Sequence, residues 1–128
     1  MKPVLLITGG SAGIGAACAR IAAAEGYDLA LNYRSDTAGA EAVAKDCRAA
    51  GAKVLLCQGD VADPAAIADA LAAETVSHTL CLPSVHALVC ERLATRPPAA
   101  LRTVIAAGEP LPRSLAELHA LADRKSVV

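Results

Sequence analysis

The chain has 128 residues, a formal net charge of −1 and 55% apolar side chains. This length allows one small domain, and the composition is typical of a soluble globular protein. The charge is too close to neutral to favour nucleic acid as a partner, and no apolar run is long enough to span a membrane. Five cysteines lie within apolar patterns without a close pair, which favours free thiols in a reducing cytoplasm.

Short apolar runs alternate with helical patterns through the first half of the chain. The patterns predict strands at residues 4–9, 28–33 and 54–57 and helices at 13–25, 36–50 and 63–74. Gly26 and Gly51 end the first two helices, and either Asp36 or Thr37 caps the second. The third strand is expected to be fully buried. Strands that alternate with helices indicate a parallel sheet with right-handed crossovers.

A glycine-rich turn joins the first strand to the first helix, with the sequence Thr8-Gly9-Gly10-Ser11-Ala12-Gly13-Ile14-Gly15. Gly9 allows a tight turn, Gly13 lets a pyrophosphate approach the backbone, and Gly15 lets helix and strand pack closely. The helix N-terminus offers free N–H groups to an anion. The turn therefore predicts a phosphate site, and an ordinary strand-helix connection is the alternative.

The pattern Thr-Gly-x-x-x-Gly-x-Gly resembles the short-chain dehydrogenase/reductase family, together with Asn32-Tyr33-Arg34-Ser35 and Asp60-Val61. The resemblance covers residues 2–71 and implies a half-domain over residues 1–72. The implied fold is an α/β, Rossmann-like three-layer sandwich with a mostly parallel, incomplete sheet. The implied function is an NAD(P)-dependent oxidoreductase that transfers a hydride between a carbonyl and an alcohol. The residues that the resemblance assigns to the cofactor are Gly9, Ser11, Gly13, Ile14, Gly15, Arg34, Ser35, Asp60 and Val61.

The end of the second strand favours NADP over NAD. An NAD site needs a carboxylate for the ribose hydroxyls, and Asn32 and Tyr33 supply none. Arg34 and Ser35 are suited to pair with a 2′-phosphate instead. Family members that prefer NADP often carry Arg where this chain has Ala12. The alternative reading of Arg34 is a solvated loop charge.

Residues that the family uses for catalysis do not follow in the second half of the chain. The sequence contains neither an Asn-Asn-Ala-Gly strand nor a Tyr-x-x-x-Lys helix, and the two tyrosines are Tyr27 and Tyr33, neither with Lys four residues on. Hydride transfer in this family needs that Tyr as the proton donor, with a Ser to hold the oxygen. No residue is therefore assigned a catalytic role, and the chain is expected to be inactive although it holds a cofactor.

Residues 76–122 resemble an internal segment of the adenylation domains of nonribosomal peptide synthetases. The resemblance rests on Val76-Ser77-His78-Thr79-Leu80-Cys81-Leu82-Pro83-Ser84 and on the run from Leu101 to Gly108-Glu109. The patterns predict strands at 79–82 and 103–107 and helices at 84–93 and 111–121, which extend the sheet to five strands. That family's ATP loop and its catalytic Lys region are absent, so ligase chemistry is not expected.

The last six residues, 123–128, fit the translation of a sequencing adapter, and a frayed helix end is the alternative. The resulting division is 1–72, 73–122 and a non-native tail at 123–128. Three readings stay open: an inactive reductase, a fragment of an adenylate-forming ligase, and a noncatalytic nucleotide-binding or chimeric open reading frame. No metal site is expected, because the three histidines are scattered. The patterns define neither substrate nor oligomeric state.

Overall fold

The computed structural model describes residues 2–63, 76–81, 103–106 and 126–127. These residues form one sheet with helices along it. Its strands are β1 (Val4–Ile7), β2 (Asp28–Tyr33), β3 (Val54–Gln58), β4 (His78–Cys81), β5 (Thr103–Ala106) and β6 (Ser126–Val127). The two described helices are α1 (Gly13–Ala24) and α2 (Thr37–Ala49). The α/β class is confirmed.

The order of the strands across the sheet is β3-β2-β1-β4-β5-β6, and each of these neighbouring pairs is parallel. The chain starts in the middle of the sheet, moves outward on one side through β2 and β3, and then returns to the other side of β1. In an open sheet of this kind, ligands bind beyond the carboxyl ends of the strands where the order reverses. In this protein that place lies between β1 and β4.

Small side chains form the contact between α1 and the sheet. Ala16, Ala19, Ala22 and Ala23 are buried on this helix, and they join a core that includes Leu5, Ile7, Leu29 and Leu31. Since alanine side chains are short, this contact allows the helix to pack close to the strands. From α2, Val43 and Cys47 complete the same layer.

The helix ends follow the sequence prediction. Gly26 and Gly51 have φ values of 92° and 96°, the left-handed conformation that glycine adopts at low cost after a helix. Of the two predicted caps of α2, the structure uses Asp36, whose carboxylate accepts a hydrogen bond from the backbone N–H of Gly39 at 3.0 Å.

The prediction that the third strand is fully buried was wrong. Leu55 is 42% exposed, and Val54, Leu56 and Cys57 are only half-buried. The reason is the position of β3 in the sheet, because it is an edge strand that pairs with β2 alone among the described strands. An apolar run does not reveal whether its strand will lie at the centre or at the edge.

The second half of the sheet differs in detail from the prediction. The strand expected at 79–82 is β4 at His78–Cys81, and the strand expected at 103–107 is β5 at Thr103–Ala106. The described sheet has six strands where five were expected, because Ser126–Val127 pairs with β5 inside the predicted tail. The helices predicted at 63–74, 84–93 and 111–121 lie outside the described residues.

Candidate functional site

The glycine-rich turn follows β1 and lies between the ends of β4 and β2. Thr8 donates two hydrogen bonds to the carbonyl of Leu80, from its backbone N–H at 3.2 Å and from its hydroxyl at 3.3 Å. Gly10 donates its N–H to the carbonyl of Asn32 at 2.9 Å. The turn is therefore fixed to both neighbours of β1 at the point where the strand order reverses.

Three glycines of the turn occupy places that other residues do not fit. Gly9 and Gly13 have φ values of 67° and 58°, in the left-handed region. Gly15 has an ordinary helical conformation, but a Cβ atom there would collide with the carbonyl oxygen of Gly9 and lie 2.9 Å from its carbonyl carbon. The first turn of α1 thus contacts the backbone of the loop directly.

The N-terminus of α1 has no side-chain cap. The N-cap residue is Ala12, whose backbone is extended, and the first turn contains no acidic residue. The first hydrogen bond of the helix runs from the N–H of Ala16 to the carbonyl of Ala12 at 3.3 Å. The amides before Ala16 therefore receive no help from a side chain, and this arrangement suits an anion. Ile14, beside these amides, is 84% exposed.

Two predicted site residues meet beyond the ends of β2 and β3. Arg34 Nε lies 3.6 Å from Asp60 Oδ2, and the two side chains are 80% and 47% exposed. The carbonyl of Arg34 accepts a hydrogen bond from Gln58 Nε2 at 3.2 Å. The other carboxylate oxygen of Asp60 accepts the N–H of Ala62 at 2.9 Å, which shapes the turn after β3. An exposed pair of this kind contributes little stability, so the guanidinium is free to change partner.

Ser35 and Val61 are the sequence neighbours of this pair, and Ser11 lies against the start of α2. Ser35 is exposed and follows Arg34, and its carbonyl accepts the N–H of Thr37 at 3.0 Å. Val61 is half-buried in the turn after β3. Ser11 is half-buried under the start of α2, where a Cβ atom on Gly39 would lie 2.8 Å from the Ser11 carbonyl oxygen.

Sequence reasoning missed the structural role of Asn32. The sequence indicates only that Asn32 is not a carboxylate, whereas in the structure the residue is 2% exposed and its side chain links β2 to the end of β3. Asn32 Nδ2 donates to the carbonyls of Cys57 at 3.2 Å and Gly59 at 3.1 Å. One signal was available, because an amide inside the apolar strand Leu29-Ala30-Leu31-Asn32-Tyr33 requires partners once it is buried.

Other reactive groups lie away from this place. Burial raises the pKa of the Cys47 thiol above its ordinary value, while Arg20 opposes and Asp46 adds to the shift. A buried thiol of this kind is inert, and it takes part in the packing of α2.

Among the described residues, no group of three His, Cys, Asp or Glu side chains is suitably placed to hold a metal ion. No helix in that same part of the chain has the length and apolar content needed to cross a membrane.

Solved structures of short-chain dehydrogenases share this fold. A short-chain dehydrogenase/reductase from Serratia marcescens BCRC 10948 superposes with a TM-score of 0.69 at 25% identity, covering 94% of this chain and 62% of that one. A short-chain dehydrogenase from Sphingobium yanoikuyae in complex with NADPH gives a TM-score of 0.64 at 24% identity, covering 84% and 54%.

Sequence comparison gives the same result. The L-rhamnose 1-dehydrogenase (NAD(P)(+)) of Sphingomonas sp. SKA58 is 40% identical over 68 residues, which are 53% of this chain and 27% of that protein. The chain spans only about a quarter of the length of this relative. A family model described as short chain dehydrogenase matches residues 3–90, which extends beyond the limit of 71 expected from the motifs. The chain therefore belongs to the short-chain dehydrogenase family of oxidoreductases.

Proposed function

We propose that this chain binds NADP, with the pyrophosphate at the N-terminus of α1. The observation that carries the proposal is the uncapped start of α1, placed beside the glycine turn where the strand order reverses. Backbone N–H groups of Gly13, Ile14 and Gly15 would donate to the phosphate oxygens, and the helix dipole favours their negative charge. Gly9 has a positive φ, and Gly15 has no Cβ that would separate α1 from the loop. These two features leave the backbone accessible to the phosphate.

The adenosine end of the cofactor would lie beyond β2 and β3. Asp60 and Val61 would hold the adenine, and Arg34 and Ser35, with Ser11 from the loop, would hold the 2′-phosphate. The contact between Arg34 and Asp60 supports this placement. The cation proposed for the 2′-phosphate and the carboxylate proposed for the adenine lie closer together than the length of one nucleoside. A phosphate monoester carries more negative charge than a carboxylate and has three acceptor oxygens, so it attracts a guanidinium more strongly than one exposed carboxylate does. We therefore expect Arg34 to leave Asp60 when NADP binds.

This chain alone is proposed to bind the cofactor without turnover. The reduced cofactor, NADPH, would supply the hydride in carbonyl reduction, and the reaction also needs a proton donor next to the carbonyl oxygen. The 128 residues provide no Tyr with a Lys four residues later. The residues of this chain are proposed to bind the cofactor, to orient its phosphates and to select NADP over NAD.

Calorimetric titration with NADPH and NADH tests the proposal, using Arg34→Gln as the variant. We expect the wild type to bind NADPH more tightly than NADH, and Arg34→Gln to lose about tenfold in NADPH affinity with little change for NADH, because only NADPH carries the extra phosphate. Lys45→Gln is the matched control, since it removes the same charge from an exposed position on α2.

Three outcomes would contradict parts of the proposal. A wild-type chain that binds neither nucleotide has no NADP site. Equal losses of affinity for NADPH and NADH in Arg34→Gln would show that the arginine does not bind the 2′-phosphate. Consumption of NADPH in the presence of a carbonyl compound, followed at 340 nm, would show that turnover does not need the missing Tyr and Lys.

The division of the chain into 1–72, 73–122 and 123–128 stays a proposal, as does the adenylation-type origin of the middle segment. The family match to residue 90 crosses the first boundary, and β6 lies in the last segment. Amplification of source DNA from the codons for residues 60–83 past codon 128 tests it. A product that continues into an Asn-Asn-Ala-Gly strand supports a chimera, whereas the same sequence and stop codon exclude one.

A further inference from the structure

Two polar side chains are buried in the described part of the chain, and they differ in how they are satisfied. Asn32 in β2 is 2% exposed and Thr79 in β4 is 4% exposed. Both lie on the sheet face that carries Leu6 and Ala30, as the strand register shows. The hydroxyl of Thr79 has no hydrogen-bond partner among the described residues, whereas the amide nitrogen of Asn32 donates twice.

Asn32 connects the two halves of the site. Its backbone carbonyl accepts the N–H of Gly10 from the glycine turn at 2.9 Å. Its side-chain nitrogen donates to Gly59, whose carbonyl immediately precedes Asp60, at 3.1 Å. One residue therefore contacts the loop proposed for the pyrophosphate and the loop proposed for the adenine.

The second contact acts where the sheet itself gives least support. β3 is an edge strand of the described sheet, and its last register pair with β2 is Gln58 with Tyr33. Beyond it, the N–H of Gly59 donates to the Tyr33 carbonyl at 2.9 Å, and the Asn32 amide then binds the Gly59 carbonyl. Without the amide, the carbonyls of Cys57 and Gly59 would each lose one hydrogen bond, and Gly59 would keep only its backbone bond to Tyr33 of the bonds named here.

We propose that Asn32 is a positioning residue that sets the distance between the glycine turn and the Gly59–Val61 segment, and thereby the affinity for the adenosine half of the cofactor. The inference rests on the proposed NADP site. The amide is suited to this role because it has two N–H donors, and both are used. An aspartate of the same size has none when ionised, and leucine has none at all.

The test compares three variants by calorimetry with 2′,5′-ADP and NADPH as probes. Asn32→Leu and Asn32→Asp remove the donors, and Thr79→Val is the matched control because it changes a buried polar side chain on the same face. We expect both Asn32 variants to bind 2′,5′-ADP at least tenfold more weakly than the wild type, and Thr79→Val to bind as the wild type does. Circular dichroism identifies the conditions under which each variant is folded.

A pH series separates positioning from general damage to the fold. Asn32→Asp regains one O–H donor when its carboxyl is protonated, so its affinity relative to the wild type at the same pH should rise as pH falls. Asn32→Leu should show no such recovery. If Asn32→Leu fails to fold, the isosteric Asn32→Asp variant carries the test.

Three results would overturn the inference. Wild-type affinity for 2′,5′-ADP in the folded Asn32 variants would exclude Asn32 from positioning the adenosine site. Equal losses in Thr79→Val would show that any change on this face has the same effect. A wild type that binds neither probe refutes the proposed function, and the role of Asn32 in it as well, whereas a binding wild type with unaffected variants refutes the inference alone.

Discussion

The two helices that flank the proposed site begin in opposite ways. α1 begins at Ala12, which offers no side-chain oxygen to the first turn, whereas α2 begins at Asp36, whose carboxylate binds the N–H of Gly39. A side-chain cap contributes about 1 kcal/mol, and a negative charge at a helix start adds up to about 1 kcal/mol more. α1 lacks this contribution in the free chain, which leaves its amides available to an anion from outside.

The two helix starts therefore have different roles, because the start of α1 is proposed to bind the phosphate and the start of α2 supports the loop. The carboxylate of Asp36 caps α2, so the start of this helix needs no ligand. The same helix start packs against the carbonyl of Ser11. α1 gains its missing anion only when a phosphate arrives. Changes at the start of α1 should therefore alter nucleotide affinity, with or without a change in stability, whereas changes at the start of α2 should alter stability alone.

The largest effect is expected from Gly15→Ala, which separates α1 from the loop. The added Cβ would collide with the backbone of Gly9, and backbone has little freedom to yield. We expect a loss of about 1–3 kcal/mol in unfolding free energy, typical of overpacking, and loss of measurable NADPH binding. Thermal unfolding and calorimetry measure the two effects.

Gly10→Ala is the control for this variant. Its Cβ would lie 3.1 Å from Cδ2 and 3.3 Å from Cβ of the buried Leu31, a tight contact with a side chain and not a collision with backbone. The loss should be smaller in both measurements. Equal behaviour of the two variants would mean that the loop tolerates added volume anywhere, and the close approach of α1 would not matter.

A smaller effect is expected from Ala12→Asp, which gives α1 the kind of cap that α2 has. The carboxylate should stabilise the free chain by about 0.5–1 kcal/mol through the first-turn amides. The same carboxylate competes with pyrophosphate for those amides, so NADPH affinity should fall about tenfold.

Ala12→Asn separates the two causes, because it caps the helix without adding charge. It should stabilise the free chain and weaken NADPH less than the aspartate does. If Ala12→Asp stabilises the chain but leaves NADPH affinity unchanged, the pyrophosphate does not lie at this helix start.

The smallest effect on binding is expected from Asp36→Ala. Loss of the α2 cap should lower stability by about 1 kcal/mol, or roughly 4 °C in Tm for a domain of this size. NADPH affinity should change less than twofold. Asp36→Asn, which retains a cap oxygen, should keep most of the stability. A large loss of affinity in Asp36→Ala would show that α2 also acts on the ligand.

Much of this site could be predicted from local patterns. The strand-glycine-helix unit at Gly9 and the cap at Asp36 depend on neighbours within a few residues, and the structure has both. The burial of β3 could not be predicted, because whether Leu55 meets a covering element depends on the order of strands in the whole sheet. The Asn32 bridge was missed for a similar reason, since its partners Cys57 and Gly59 lie far along the chain.

The position of β1 at the centre of the sheet has a consequence for how the chain folds. One side of β1 pairs with β2, which is nearer in sequence, as in the pair Val4 and Asp28. The other side pairs with β4, which is much farther along the chain, as in the pair Leu5 and His78. Contacts between residues distant in sequence form late and slow the folding reaction. During synthesis, the unit from β1 to β3 therefore emerges with one flank of its central strand unpaired, and it is exposed to intermolecular strand pairing until the residues of β4 leave the ribosome.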